Sequence, residues 1–275
     1  MKSNFAVFRR ELIQTLGGFL DPEEAEAEAR CWFEEGLGLD RAWLAAHRDD
    51  VVSDEIISRV AAWMERRRTG EPWAYILGWK EFRGLRFQVN PAVLIPRPET
   101  ELVLEAALAC GREWGVARAC DIGTGSGILG ICLALETDWD ILATDLSREA
   151  LVVAQGNAGA LSAKLAFAGG DLLAPVPDPL GLVVSNPPYV DPADRAELQR
   201  ELTFEPQSAL FAPEQGLALS TELLRQARVR QAAGCVIEIG SGQGPTLVER
   251  ARDLGWAHAE CRPDWAGHDR IVIVH

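Results

Sequence analysis

Between Phe5 and about Trp63 apolar residues recur at three- and four-residue spacing (Phe8, Leu12, Leu16, then Ala25, Ala29, Trp32, Phe33), which predicts a helical region. Asp21 followed by Pro22 marks one helix start, with a cap and a proline in the first turn. The acidic run from Asp21 to Glu28 suits the positive end of that helix and reads as a solvated face. Between Gly70 and Pro98 the period shortens to two, and the stretch from Phe82 to Asn90, bounded by glycines and prolines, predicts a short hairpin. Thr100 and Glu101 open a helix to about Trp114, and strand and helix signals then alternate. Strands are expected at Ala119–Ile122, Ile141–Thr144, near Leu165–Phe167, at Leu182–Ser185 and at Cys235–Ile239. Helices are expected at Ile128–Leu135, Arg148–Ala160, Leu217–Ala233 and Pro245–Leu254. Such alternation builds a mostly parallel, doubly wound α/β sheet. Ala257–Cys261 and Ile271–His275 have no helix between them, so they are expected to pair antiparallel.

Composition refines this picture modestly. A chain of 275 residues exceeds a typical domain, and the patterns divide it into a helical domain (1–70), a linker with a hairpin (71–98) and the α/β domain (99–275). Hydrophobic residues at 48% and charged residues at 25% match ordinary globular proteins. The apolar stretch Ile128–Leu135 falls far short of the roughly 20 residues that span a bilayer. Arg9, Arg10 and Glu11 interrupt any signal-peptide core, so a cytoplasmic protein without a membrane partner is expected. Cys31, Cys110, Cys120, Cys132, Cys235 and Cys261 lack C-x-x-C spacing and histidine partners; they are expected in the core, with no metal site. The net charge of −14 disfavours a nucleic-acid partner.

Candidate chemistry begins at Asp121, Gly123, Thr124, Gly125, Ser126 and Gly127, a glycine loop between a strand and a helix. Its glycines allow a tight turn and let a ligand approach the backbone at the positive helix end. Gly125, Gly127 and Gly130 also satisfy the G-x-G-x-x-G spacing of nicotinamide sites, with Asp145 near the expected distance downstream. Asp121 decides between the two readings. A carboxylate beside the loop repels a pyrophosphate and welcomes the ammonium and sulfonium of S-adenosylmethionine. Asp145 is expected on the ribose hydroxyls, with a helix cap as its plainer role, and Asp171 near the adenine amino group, with a turn as its plainer role. A second glycine loop, Glu238 to Gly244, mimics the first but lies too near the C-terminus to precede a catalytic loop, so it reads as structural.

Asn186, Pro187, Pro188 and Tyr189 directly follow the strand Leu182–Ser185, at the sheet edge where open α/β folds hold their reacting groups. Two prolines fix the backbone and remove two N–H donors, leaving a loop rich in acceptors. Such a pocket suits an NH₂ group whose nitrogen is a poor nucleophile. Acceptance of its two hydrogens by the Asn186 side chain and the Pro187 carbonyl would aim the nitrogen at a methyl group and stabilise the charge it develops. Tyr189 is placed to stack on a planar substrate group.

These residues make the chain resemble the HemK/PrmC family, the glutamine methyltransferases of class 1 peptide chain release factors. The likeness runs from Glu71 to the C-terminus, through Glu71–Gly78, Val93–Glu101, Asp121–Gly127, Val184–Val190 and Trp265–Arg270. It implies a class I S-adenosylmethionine-dependent methyltransferase fold, Rossmann-like with an antiparallel last strand, preceded by a small helical domain; residues 1–70 match only in helical character and length, and their expected role in gripping the substrate follows from architecture. It also implies N5-methylation of the glutamine in a release factor's Gly-Gly-Gln loop by an enzyme expected as a monomer. By the same resemblance Gly123–Gly127, Asp145 and Asn186 bind the cofactor, Asn186–Tyr189 hold the glutamine, and the Arg97–Thr100 stretch, with Arg97 and Glu99 as substrate contacts, borders the site. Two departures stand out: Ala212–Leu217 replaces a common Gly-Gly-x-Asp-Gly-Leu stretch, and Leu172 stands where some members place an aromatic residue against adenine. The competing expectation is a methyltransferase of exocyclic amines in nucleic acid, adenine N6 or guanine N2, because the Asn-Pro-Pro-Tyr motif is shared.

Overall fold

The computed structural model describes residues 3–275. Its contacts divide the chain into two units, Met1–Gly78 and Trp79–His275. The boundary leaves residues 71–78 with the helical unit and the hairpin with the sheet.

The first unit holds α1 (Phe5–Leu16), α2 (Pro22–Cys31), α3 (Arg41–Ala46), α4 (Asp54–Arg68) and α5 (Trp73–Leu77). Asp21 caps α2 as the sequence suggests: its side chain accepts from the Glu23 and Glu24 amides, and Glu24 reaches back to the Asp21 amide. The apolar faces meet around Leu16, Ala29, Trp32 and Phe33, with Trp32 stacked on Trp73 at 4.9 Å. Arg67 is buried there, its Nε donating to Glu28 Oε1 at 2.8 Å. Trp32 Nε1 donates to the same oxygen, so the buried charge is compensated.

The second unit opens with the hairpin β1 (Trp79–Phe82) and β2 (Leu85–Gln88), then α6 (Thr100–Glu113). There follow β3 (Arg118–Ile122), α7 (Ile128–Glu136), β4 (Asp140–Asp145), α8 (Arg148–Leu161), β5 (Ala166–Gly169) and β6 (Leu182–Ser185). The chain closes with α9 (Gln207–Leu210), α10 (Ala218–Val229), β7 (Gly234–Glu238), α11 (Gly244–Asp253), β8 (Ala259–Pro263) and β9 (Asp269–Val274). The seven-stranded sheet has the order β5-β4-β3-β6-β7-β9-β8, parallel except for β9, which pairs antiparallel with both β7 and β8. Every residue of β6 and β7 is buried, as expected of central strands covered on both faces. One face packs against α6, α7 and the hairpin through Val103, Leu104, Leu133 and Phe87; the other packs against α10 and α11 through Leu223, Leu224 and Leu247. Buried Asn157 on α8 fastens the hairpin to the glycine loop. It accepts from the Gln88 amide and donates to the Gln88 and Ser126 carbonyls.

Among the described residues no helix is long and apolar enough to cross a membrane, and no group of three or more His, Cys, Asp and Glu could hold a metal ion. Cys110, Cys120, Cys132 and Cys235 are buried, whereas Cys31 and Cys261 are half-buried. Strand order reverses between β3 and β6, and a crevice for ligand opens at the carboxyl ends of strands on either side of such a reversal.

Candidate active site

A cavity of about 320 Å³ opens at that point, walled by the ends of β3 (Asp121, Ile122), β4 (Thr144, Asp145) and β6 (Ser185). Asp121 organises the glycine loop. Its Oδ2 accepts from Thr124 Oγ1 at 2.6 Å and from the Gly130 amide at 2.8 Å. Gly123, Gly125 and Gly127 all take positive φ (70°, 55° and 90°), which only glycine adopts without strain. The other oxygen of Asp121, Oδ1, is buried and has no partner. Burial pushes this carboxyl up to about 6, against the pull of its bonds from Thr124 and Gly130.

Asp145 holds the loop from the neighbouring strand: Oδ2 accepts from the Gly125 amide at 2.9 Å and Oδ1 from the Ser147 amide at 2.8 Å. Ser147, not Asp145, caps α8, accepting from the Ala150 amide. Each Asp145 oxygen keeps a lone pair for a further donor. Burial raises its pKa too, opposed by these amide bonds. Asp171 and Leu172 line the same cavity, and Leu172 sits at φ 44°, a left-handed conformation that costs a side-chain-bearing residue about 1–2 kcal/mol. Arg97, the arginine on the wall, is already paired with Glu205 at 2.5 Å, and Glu205 also accepts from the Ile95 amide. The cavity therefore presents carboxylates without a spare cation, a donor set that fits a cationic ligand carrying hydroxyls and repels a pyrophosphate.

The Asn186–Tyr189 loop lies against this wall. Asn186, Pro187 and Pro188 line the cavity. Asn186 Nδ2 donates to Thr100 Oγ1 at 3.2 Å, and Thr100 Oγ1 donates to Glu238 Oε2 at 2.7 Å. Tyr189 turns its hydroxyl towards Glu238 Oε1 at 3.5 Å. Burial, with Glu238 adding to it, pushes the Tyr189 phenol up to about 12, so it stays protonated and donates. Gln243 braces the loop from the second glycine segment: Nε2 donates to the Tyr189 carbonyl at 2.9 Å and the Gln215 carbonyl at 2.8 Å, while Oε1 accepts from the Gly240 amide. In the divergent stretch Ala212–Leu217, Glu214, Gln215 and Gly216 are all left-handed (φ 56°, 58° and 81°). A Cβ at Gly216 would overlap the Tyr189 carbonyl. Gln215→Gly is expected to raise stability in urea unfolding by about 0.5–1 kcal/mol, the relief of left-handed strain exceeding glycine's entropy cost. A loss of stability would show that the Gln215 side chain matters more than its backbone.

The structure brings together in one cavity Asp121, Gly123, Thr124, Gly125, Ser126, Asp145, Asp171, Leu172, Asn186, Pro187, Pro188 and Arg97. Gly127 lies just outside as the cap of α7, Glu99 precedes α6 outside the lining, and Tyr189 faces Glu238 instead of the cavity. Thr100, at the end of the Arg97–Thr100 stretch expected to border the site, lines the cavity, whereas sequence reasoning overlooked Glu205, Glu238, Gln243 and Leu146. The last of these, 74% exposed, lines the cavity directly after Asp145. The signal for Glu238 was present: an acidic residue ending the strand next to the one that leads into Asn186.

A seven-stranded sheet in this order, with the antiparallel β9 and an acidic glycine-loop cavity at the switch point, defines a class I methyltransferase fold. The same fold appears in the human Mettl16 catalytic domain solved in complex with a MAT2A 3'UTR hairpin (TM-score 0.58, 16% identity, 81% of this chain and 82% of that one). Residues 11–78 match the PrmC N-terminal domain, and residues 106–212 the methyltransferase small domain. The chain is 40% identical to the release factor glutamine methyltransferase of Bordetella pertussis over 259 residues, 91% of this chain and 95% of that protein. It is also 40% identical to that of Neisseria gonorrhoeae over 252 residues, 90% of this chain and 92% of that protein. The chain belongs to the release factor glutamine methyltransferase family.

Proposed function

We propose that this protein transfers a methyl group from S-adenosylmethionine to the side-chain amide nitrogen, N5, of the glutamine in the Gly-Gly-Gln motif of class 1 peptide chain release factors. The observation that carries this reading is the acceptor-rich loop, Asn186 to Pro188, set beside a cavity where Asp121 Oδ1 has no partner. Family membership supplies the substrate.

S-adenosylmethionine, when bound, supplies an electrophilic methyl group on a sulfonium. Asp145 would accept from its ribose hydroxyls, Asp121 would face its ammonium end, and Asp171 and Leu172 would border its adenine. An amide lone pair is delocalised into its carbonyl, so the glutamine nitrogen needs positioning more than deprotonation. Asn186 Oδ1 and the Pro187 carbonyl would each accept one N–H and stabilise the positive charge that grows on nitrogen. With both N–H groups held, no base is needed before attack; the methylated nitrogen then sheds one of its two protons to solvent, leaving the neutral N-methyl amide. The helical unit is assigned to gripping the release factor, supported by its match to the PrmC N-terminal domain. The enzyme is read as a cytoplasmic monomer without a nucleic-acid partner, in keeping with its charge of −14.

The test is transfer of labelled methyl to a purified release factor, beside its loop glutamine-to-alanine mutant and bulk DNA and RNA. Label on the wild-type factor alone is expected. Label confined to nucleic acid would replace this function with exocyclic-amine methylation. Affinity for S-adenosylmethionine is expected to rise as pH rises through about 6 and then level off, because only ionised Asp121 attracts an ammonium. Calorimetric titration across that range checks this, and Asp121→Asn should flatten the dependence.

A further inference from the structure

Thr100 has a single hydroxyl proton and gives it to Glu238, which when ionised can accept but not donate. The Thr100 oxygen then offers only lone pairs to Asn186, which must turn its NH₂ towards it. The Asn186 carbonyl oxygen is thereby left for the cavity. Glu238 is wholly buried at the end of β7, in the second glycine segment, and its other oxygen receives the Tyr189 hydroxyl. A buried carboxylate is unfavourable unless it is hydrogen-bonded, and here the two bonds come from Tyr189 of the Asn-Pro-Pro-Tyr loop and from Thr100, which in turn accepts from Asn186.

We propose that Glu238 is a positioning residue which, relayed by Thr100, sets the direction of the Asn186 amide so that its oxygen meets the substrate N–H. This rests on the amide-methylating function above. Were Glu238 to take a proton, it could donate to Thr100. The Thr100 hydroxyl would then turn its own proton towards Asn186 and favour the flipped amide, with NH₂ facing the substrate. Burial pushes Glu238 up to about 7, against the Thr100 bond and the positive charge of Arg270 on β9. Glu99 before α6 adds to the rise, and the Tyr189 bond opposes it. Turnover at saturating cofactor should therefore fall as pH drops through about 7.

The test follows methyl transfer to the release factor, with kcat, KM, cofactor Kd and melting temperature measured for wild type, Thr100→Val, Thr100→Ser and Glu238→Gln. Thr100→Val is expected to lower kcat at least about tenfold, with KM and cofactor Kd within about threefold, the signature of an interaction used in the transition state. Thr100→Ser, which restores the hydroxyl, should recover most of that loss. Glu238→Gln should lose the acid limb near neutral pH whatever its absolute rate. With an active wild type, kcat of Thr100→Val within about twofold, or an unchanged acid limb in Glu238→Gln, overturns the proposal alone. No transfer by the wild type to any release factor overturns the substrate reading and this proposal with it.

Discussion

Asn186→Ala is expected to reduce methyl transfer to the release factor by about 10²–10³-fold, the usual consequence of removing one preorganised hydrogen-bond partner of a developing charge. Its carbonyl oxygen is one of two acceptors assigned to the substrate nitrogen, and its NH₂ is already spent on Thr100. Cofactor affinity should stay within a few-fold, because Asp121, Asp145 and the glycine loop are untouched. Single-turnover rates with calorimetric binding on the same preparation separate the two quantities. A parallel loss of both would mean that Asn186 holds the cofactor and that positioning of the amide lies elsewhere.

Asp145→Ala should act in the opposite sense, weakening S-adenosylmethionine binding by about 10–100-fold while leaving the chemical step, measured at saturating cofactor, within a few-fold. Two amides, of Gly125 and Ser147, also lose their acceptor, so part of the loss reflects a looser glycine loop. Asp145→Asn divides these contributions. Its amide keeps one oxygen for a loop N–H but presents a donor where a ribose hydroxyl needs an acceptor. An unchanged dissociation constant in both variants would remove Asp145 from the ribose site.

Much of the α/β unit was legible because each central strand is a short apolar run with a clear end, such as Leu182–Ser185 before Asn186, and each following helix has a recognisable start. The antiparallel ending followed from the lack of a helix between β8 and β9. Legibility failed where function depends on contacts between distant segments. Thr100 and Glu238 are separated by 138 residues and meet only because α6 and β7 pack together. Gln243, in a loop that looked merely structural, reaches Tyr189 across 54 residues. Tyr189 was assigned a stacking role from its place in the motif, yet its hydroxyl is directed to Glu238. No periodicity marks such partners, since a single hydrogen bond leaves no repeat in the sequence.

The prolines of the catalytic loop carry a further implication for where the reaction stops. Two acceptors match a primary amide, which offers two hydrogens, and Pro187 and Pro188 contribute no donor that could adapt to anything else. A once-methylated amide has one hydrogen left, so one acceptor would face a methyl group and lose its partner, at a cost of about 1–3 kcal/mol. If the Asn186 and Pro187 oxygens are the acceptors proposed above, product would be held more weakly than substrate and would leave before a second transfer, so the same loop would limit the reaction to one methyl per glutamine.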